Sequence, residues 1–277
     1  MNTKDASMVL LFLMLFILFP SILYAEHAEN TKLTEQDIIE LYNKSKDNFN
    51  NAEKIAITNK KEAQRYYKEA AQQLEKIAMH VQNGKLYYNL GNIYFRLNNI
   101  GRAILNYKKA EQFIPNDVQL CHNLAYARSK CIDSIPETVQ SKVLKLFFFW
   151  HYDFSSYIKL LLFVIFFALL FIFLLCRLFF KKNFLVWCII IFAFFSLSLF
   201  TSISISTLQK IYTKHGVIIA QEVVARKGNS ILYEPRFQQP LHAGTEFVLI
   251  EARDEWNQIE LSDGNRAWIP NNTCEIY

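Results

Sequence analysis

The chain has 277 residues, of which 52% are hydrophobic and 15% aromatic, and its formal net charge is +5. This length accommodates two small domains and membrane segments, and the mild charge, with no block of Lys and Arg interleaved with aromatics, argues against a nucleic-acid partner. The five cysteines contain no CxxC pair and indicate no disulfide framework. The sequence leaves open whether Cys121 and Cys131 form a bridge or are two reduced thiols.

The first apolar run predicts a signal peptide over residues 1–25. The run from Met8 to Phe19 follows a lysine, and the small Ala25 is followed by a charged residue. A basic start, an apolar centre and a small residue at the cleavage point are typical of export signals, so we expect cleavage after Ala25. An uncleaved anchor is the alternative, because Met8 to Ala25 is just long enough to cross a membrane.

Helical periodicity follows over residues 33–133. Between Tyr87 and Pro115, apolar residues recur at helical spacing on both sides of an interrupting NNIG stretch, and the proline stops the second helix. The pattern predicts two short antiparallel helices. Small residues allow close packing within this pair at Gly91 and Ala103, and against the next unit at Ala110.

The same stretch resembles a tetratricopeptide repeat, a helical hairpin of about 34 residues. Imperfect units flank it: an upstream one echoes its second helix, and a truncated or capping one covers Val118 to Lys130. Counted from Gly84, the repeat signature falls on Tyr87, Leu90, Gly91, Tyr94, Ala103, Tyr107, Ala110 and Pro115, with Tyr in place of the usual first Trp.

The resemblance implies a concave groove, lined by the first helix of each unit, that holds a peptide or a helix. Aromatics mixed with Lys and Arg would suit an extended or acidic peptide. The alternative is that these side chains contact only the neighbouring unit or solvent. The predicted groove residues are Lys85, Tyr88, Asn92, Phe95, Arg96, His122 and Tyr126.

Residues 134–156 form a linker rich in aromatics. Within it, the stretch from Val143 to Phe154 is predicted to be an interfacial helix that leads into the membrane. The alternative is that this stretch extends the membrane span that follows it.

Two long apolar runs predict transmembrane helices over residues 157–180 and 183–209, each long enough to cross about 30 Å of hydrocarbon. Arg177, Lys181 and Lys182 crowd the short turn between them and favour a cytoplasmic turn. Both flanks would then face the periplasm from a bacterial inner membrane, in agreement with an export signal. Lysines near the outer ends oppose this assignment but are spread over longer segments.

The tail over residues 215–277 has short β-rich runs separated by turn signals, which suggest a small antiparallel barrel. It resembles a bacterial SH3-like domain at Gly244, Trp256, Gly264, Trp268 and Pro270. Arg266-Ala267 departs from that pattern, which often has Gly before the second Trp. The resemblance implies binding of peptides, cell-wall material or partner domains, with Trp256 and Trp268 as a possible face. Half-buried packing is the alternative role for both.

The sequence contains no motif of a known catalytic site. It has no GxSxG, HExxH or P-loop, and its six histidines have no metal-ligand spacing. The adjacent Cys121 and His122 would diverge by about 100° on a helix, so they do not form a nucleophile pair. We therefore expect that the protein is not an enzyme and binds neither a cofactor nor a metal.

The order of signal peptide, repeats, two membrane spans and SH3-like barrel resembles the BatE-type proteins of bacterial aerotolerance operons. That resemblance implies an envelope complex with von Willebrand A-type membrane proteins and a MoxR-type ATPase. We expect a multi-domain membrane protein, built from an all-α tetratricopeptide-repeat domain, a two-helix transmembrane hairpin and an all-β SH3-like barrel, that serves as a scaffold. The alternative is an envelope sensor or regulator whose barrel binds peptidoglycan, although the short turn leaves no room for an output domain.

Overall fold

The computed structural model describes residues 33–136 and 138–277. The signal peptide predicted over residues 1–25 lies outside the described residues. The described chain is mostly helical, with two long apolar helices and a small antiparallel sheet. The helices are α1 (Glu35–Ile55), α2 (Lys60–Ala78), α3 (Gly84–Arg96), α4 (Ile100–Glu111), α5 (Val118–Arg128), α6 (Val139–Phe147), α7 (Phe149–Tyr152), α8 (Ser156–Phe179) and α9 (Asn183–Tyr212). The strands are β1 (Lys214–Ile218), β2 (Glu222–Val223), β3 (Leu241–His242), β4 (Glu246–Arg253), β5 (Trp256–Glu260), β6 (Arg266–Pro270) and β7 (Cys274–Ile276).

Helices α1–α5, here called the helical region, each begin at a residue that caps them. A side-chain oxygen at the N-terminal cap accepts a hydrogen bond from a backbone N–H of the first turn, which would otherwise have no partner inside the helix. In α1 the cap is reciprocal, because Asp37 also accepts from the backbone of Thr34. The capping residues are Thr34, Asn59, Asn83, Asn99 and Asp117.

Helices α3 and α4 come close together at Gly91. A Cβ atom there would lie 2.4 Å from Cδ1 of Tyr107, a ring that is itself buried. Ala103 and Ala110 are fully buried on α4, where the helix meets its neighbours. Small residues thus stand where the helices come close, as their spacing predicts.

The linker forms separate short helices and does not lengthen the apolar helix α8. Helix α6 ends at Phe147, α7 spans Phe149–Tyr152, and α8 begins after a cap in which the Ser155 hydroxyl accepts from the backbone N–H of Ile158. The helical axis is therefore interrupted between α7 and α8.

Helices α8 and α9 are long and apolar enough to cross a membrane, over Ser156–Phe179 and Asn183–Gln209. The pair packs through stacked phenylalanine rings: the Phe166 and Phe195 centroids are 5.4 Å apart, and those of Phe173 and Phe192 are 5.3 Å apart. Helix α9 runs to Tyr212, a few residues beyond the predicted span.

The strands, here called the β region, form a five-stranded sheet in the order β6-β5-β4-β1-β7 and a separate β2-β3 pair. Every neighbouring pair is antiparallel. Strand β4 carries a bulge between Leu249 and Glu251, and such a bulge increases the local twist of a sheet. The core of the β region is apolar and includes Ile218, Phe247, Ile259 and Ile269.

The β region packs directly against the helical region, although the two long apolar helices separate them in sequence. Val217 of β1 belongs to the same buried cluster as Leu90 and Ile104. A Cβ atom on Gly101 of α4 would lie 2.6 Å from the carbonyl oxygen of Ile218, so glycine permits this contact. The β region thus shares a buried core with the helical region at α4.

Candidate functional site

A groove crosses the helical region and is lined mainly by side chains of α1, α3 and α5. Its main cleft has a volume of about 340 Å³. A second cleft of about 210 Å³ shares Phe49 and Asn92 with it and continues toward Tyr42. The main cleft is lined by Phe49, Asn92, Phe95, Arg96, Tyr107, Asn123 and Tyr126.

Asparagine amides form the polar floor of this groove. The carbonyl oxygen of Asn92 accepts from the Tyr107 hydroxyl at 2.8 Å and from the Asn123 amide at 2.9 Å. Asn123 also donates to the Tyr88 hydroxyl at 3.0 Å. Because both neighbours donate to Asn92, its oxygen must face them, and its NH₂ group has no acceptor within the described residues. That group can donate to a backbone carbonyl of a bound chain.

Aromatic rings form one wall of the groove. The ring centroids of Phe95 and Tyr126 are 5.5 Å apart, and the ammonium of Lys130 lies 5.1 Å above the Tyr126 ring. Tyr126 is 55% exposed. A half-exposed aromatic beside donors is a typical anchor for a bound protein segment.

The charges of the groove are largely paired. Arg96 Nε lies 3.0 Å from Glu53 Oε1, which also accepts from the Tyr67 hydroxyl at 2.5 Å. Burial and the adjacent Glu53 raise the pKa of Tyr67 to about 12, so it stays a neutral donor. Lys85 bonds to Asp117 at 2.6 Å, and this contact lowers the pKa of the Asp117 carboxyl.

Four of the seven predicted groove residues line the main cleft: Asn92, Phe95, Arg96 and Tyr126. Tyr88 supports it through Asn123, whereas Lys85 is engaged with Asp117. His122 is exposed and does not line it.

Sequence reasoning missed three residues of the cleft: Phe49, Tyr107 as a lining group, and Asn123. A signal existed for Asn123, because it lies 34 positions after Asn89, which lines the second cleft. Phe49 had none, since the repeat signature does not fix the register of α1.

The two tryptophans of the β region have different environments. Trp268 is only 8% exposed; its backbone bonds to Arg226 in both directions, and the Arg253 guanidinium lies 5.8 Å from its ring. Trp256 is half-buried and pairs across strands with Arg253 and Pro270. Trp268 therefore has the packing role that was the alternative, and Trp256 offers the accessible ring.

The junction between the helical and β regions is held by polar contacts. The Asp133 carboxylate accepts from the backbone N–H of His242 at 2.6 Å and from the Thr245 hydroxyl at 2.6 Å, and lies 2.8 Å from His242 Nδ1. These bonds lower the Asp133 pKa against the opposing effect of burial. Arg128 makes two parallel bonds to Glu246, at 2.6 and 2.8 Å.

Cys131 is a free thiol packed into this junction, and Cys121 is a free, exposed thiol. A Cβ atom on Gly244, whose φ is +97°, would lie 2.5 Å from the Cys131 sulfur. Burial raises the pKa of Cys131 to about 11, which keeps its thiol protonated and unreactive while the regions stay together.

Within residues 33–136 and 138–277, no group of three or more His, Cys, Asp or Glu side chains is placed to hold a metal ion. No protein-family model matches the chain, and no curated protein matches its sequence.

Proposed function

We propose that this protein is a membrane-tethered scaffold that binds partner proteins through the groove of its helical region. The observation that carries this proposal is the combination, in one cleft, of exposed Tyr126 and the donor group of Asn92. An aromatic anchor with a backbone-directed donor suits a peptide segment better than a small metabolite.

We also propose that the helical region consists of tetratricopeptide repeats and that the β region is SH3-like. Helices α3 and α5 begin 34 positions apart, at Gly84 and Val118, which is the length of such a repeat. The contact of Gly91 with Tyr107 fits the positions at which such a repeat needs a small residue for close packing of its two helices. A five-stranded antiparallel sheet with a small accompanying pair is compatible with an SH3-like barrel.

The order of these segments supports assignment to the BatE type, and with it an envelope complex of the aerotolerance or stress kind. The expected direct partner is a von Willebrand A-type membrane protein; the MoxR-type ATPase would belong to the same system. No cofactor or catalytic step is part of this proposal.

Binding of the detergent-solubilised chain to a purified von Willebrand A-type domain tests the groove. Loss of an aromatic anchor costs about 2 kcal/mol, so Tyr126→Ala should weaken Kd roughly thirtyfold. Asn92→Ala should weaken it as well. His122→Ala is the matched control on the same helix, outside the cleft, and should bind like the wild type. Equal binding by all of these variants would rule out the groove as the contact.

We propose an inner-membrane location with both soluble regions in the periplasm. The contact of α4 with β1 requires the two regions to lie on one side, which two crossings provide. The basic turn favours the cytoplasm. Topology reporters after Lys130 and Tyr277 should report the periplasm, and one between residues 177 and 183 the cytoplasm. Reporters on opposite sides after Lys130 and Tyr277 would contradict the two-crossing arrangement.

A cell-wall-binding envelope sensor is the second candidate, and the half-buried Trp256 beside Arg253 favours it. Such a ring can stack on a sugar. Peptidoglycan sedimentation with Trp256→Ala tests this role, with Val224→Ala as a surface apolar control. Failure of the wild-type chain to sediment would remove the sensor candidate.

A further inference from the structure

A cluster of polar side chains joins α7 to the two apolar helices. His151 Nδ1 lies 2.8 Å from the Ser202 hydroxyl. The Lys159 ammonium donates to the His151 carbonyl oxygen at 2.5 Å and to the Ser206 hydroxyl at 3.1 Å. Lys159 and Ser202 are both buried between the helices. We call these four residues the polar clamp; it fixes α7 against α8 and α9.

The position of the polar clamp along the helices indicates its depth in a bilayer. A hydrocarbon core about 30 Å thick is crossed by about 20 helical residues. In α8, twenty residues counted back from Leu178, beside the basic turn, end at Lys159. In α9, twenty residues counted forward from Phe184, on the other side of the turn, end at Ile203. Both end points lie within one turn of the clamp, which therefore marks the hydrocarbon boundary on the side opposite to the turn.

Large aromatic side chains stand exposed at this same level. Phe147 is 69% exposed and Phe149 is 50% exposed, and Phe148 and Tyr152 are exposed as well. The Trp150 ring packs edge-on against Phe149, with centroids 5.5 Å apart. Tryptophan and tyrosine are enriched at the membrane–water interface, where their rings meet both acyl chains and headgroups.

The backbone of α7 also suits an apolar environment. The N–H groups of His151, Tyr152 and Asp153 donate to the carbonyl oxygens of Phe148 and Phe149, at 2.8 to 3.3 Å. Backbone groups at the edge of the hydrocarbon need such internal partners, because water is scarce there. The patch is also continuous with α8 and α9, whose outward sides carry apolar residues.

We propose that Phe147–Tyr152 forms an interfacial wedge, embedded among the phospholipid acyl chains just below the headgroups, at a depth set by the polar clamp. The inference rests on α8 and α9 crossing the bilayer, and does not depend on which partners the groove binds. The wedge gives the protein a third membrane contact besides its two spans. It holds the chain that leads from α5 close to the membrane surface.

Tryptophan quenching by brominated phosphatidylcholine tests the wedge in the full chain reconstituted into vesicles. The contribution of each ring is the difference between the wild type and a Trp→Phe variant at that position. Trp150 should be quenched more strongly by bromine placed high on the acyl chain than by bromine near its end. Trp187, inside α9, reports independently on the span, and Trp256 reports on the soluble β region.

Quenching of Trp187 without quenching of Trp150 would overturn the wedge and leave the spans standing. If neither ring is quenched, the spans fail and the wedge fails with them. Strong quenching of Trp150 by aqueous iodide would also overturn the proposal. Ser202→Ala removes one bond of the polar clamp and should reduce lipid quenching of Trp150, whereas the matched control Ser198→Ala should not.

Discussion

Removal of the Asp133 carboxylate is expected to separate the helical and β regions. This group accepts two bonds from His242 and one from Thr245, across more than one hundred residues of intervening chain. A hydrogen bond to a charged group contributes about 1.5–3 kcal/mol. Because the three bonds share one acceptor, their energies do not add fully, and we expect Asp133→Ala to cost about 3 kcal/mol of docking free energy.

Cys131 provides the assay, because its half-buried sulfur lies against Gly244 in the junction. Opening of the junction exposes this thiol to an alkylating reagent. A loss of about 3 kcal/mol of docking free energy raises the population with an open junction roughly a hundredfold, and the alkylation rate of Cys131 rises with it. The exposed Cys121 is the internal control and should react at an unchanged rate.

Asp47→Ala, which removes an exposed carboxylate from α1, is the matched control variant. It should leave the reactivity of Cys131 as in the wild type. If Cys131 reacts at the wild-type rate in Asp133→Ala, with the helical content intact by circular dichroism, the two regions are not held together by this carboxylate.

Three further outcomes are expected. The pKa of Asp133 is lower in the folded chain than in the unfolded chain. The stability that its carboxylate contributes is therefore fully present above the unfolded-state pKa and is lost as the pH falls through the folded-state pKa. The thermal midpoint should fall over that pH range, and Asp133→Asn should make the midpoint less dependent on pH. Gly91→Ala places a methyl group against Tyr107 and should destabilise the helical region by about 1–3 kcal/mol in thermal unfolding; an unchanged midpoint would contradict the close packing. Arg128→Lys loses the two parallel bonds to the partly exposed Glu246 and should cost under about 1 kcal/mol of docking free energy. The alkylation rate of Cys131 should therefore rise less than in Asp133→Ala. An equal rise would contradict the larger contribution assigned to Asp133.

The junction has a consequence for the scaffold role proposed above. The groove and the sheet belong to one packed unit, so a partner held in the groove has a fixed position relative to Trp256. The two long apolar helices, α8 and α9, lie between α5 and β1 in the sequence.

The sequence by itself determined the features that local patterns encode. Helical spacing on both sides of the NNIG stretch predicts the helical hairpin, and uninterrupted apolar runs predict two helices able to cross a membrane; the structure contains both. Gly91 was also found from sequence, because a close approach between adjacent helices needs a small residue at one position. Four residues of the cleft were predicted from the resemblance to a tetratricopeptide repeat, in which the first helix of each unit lines the groove.

Only the tertiary structure decided which distant groups meet. Nothing local to Asp133 indicates that it binds His242. Nothing local to Trp268 indicates that its backbone pairs with that of Arg226. Phe49 enters the groove through the register of α1 against α3, which no signature fixes. A periodic pattern reports which face of an element is apolar, but the partner of that face depends on how the whole chain closes on itself. In this protein the chain closes by bringing β1 back onto α4 after two long apolar helices.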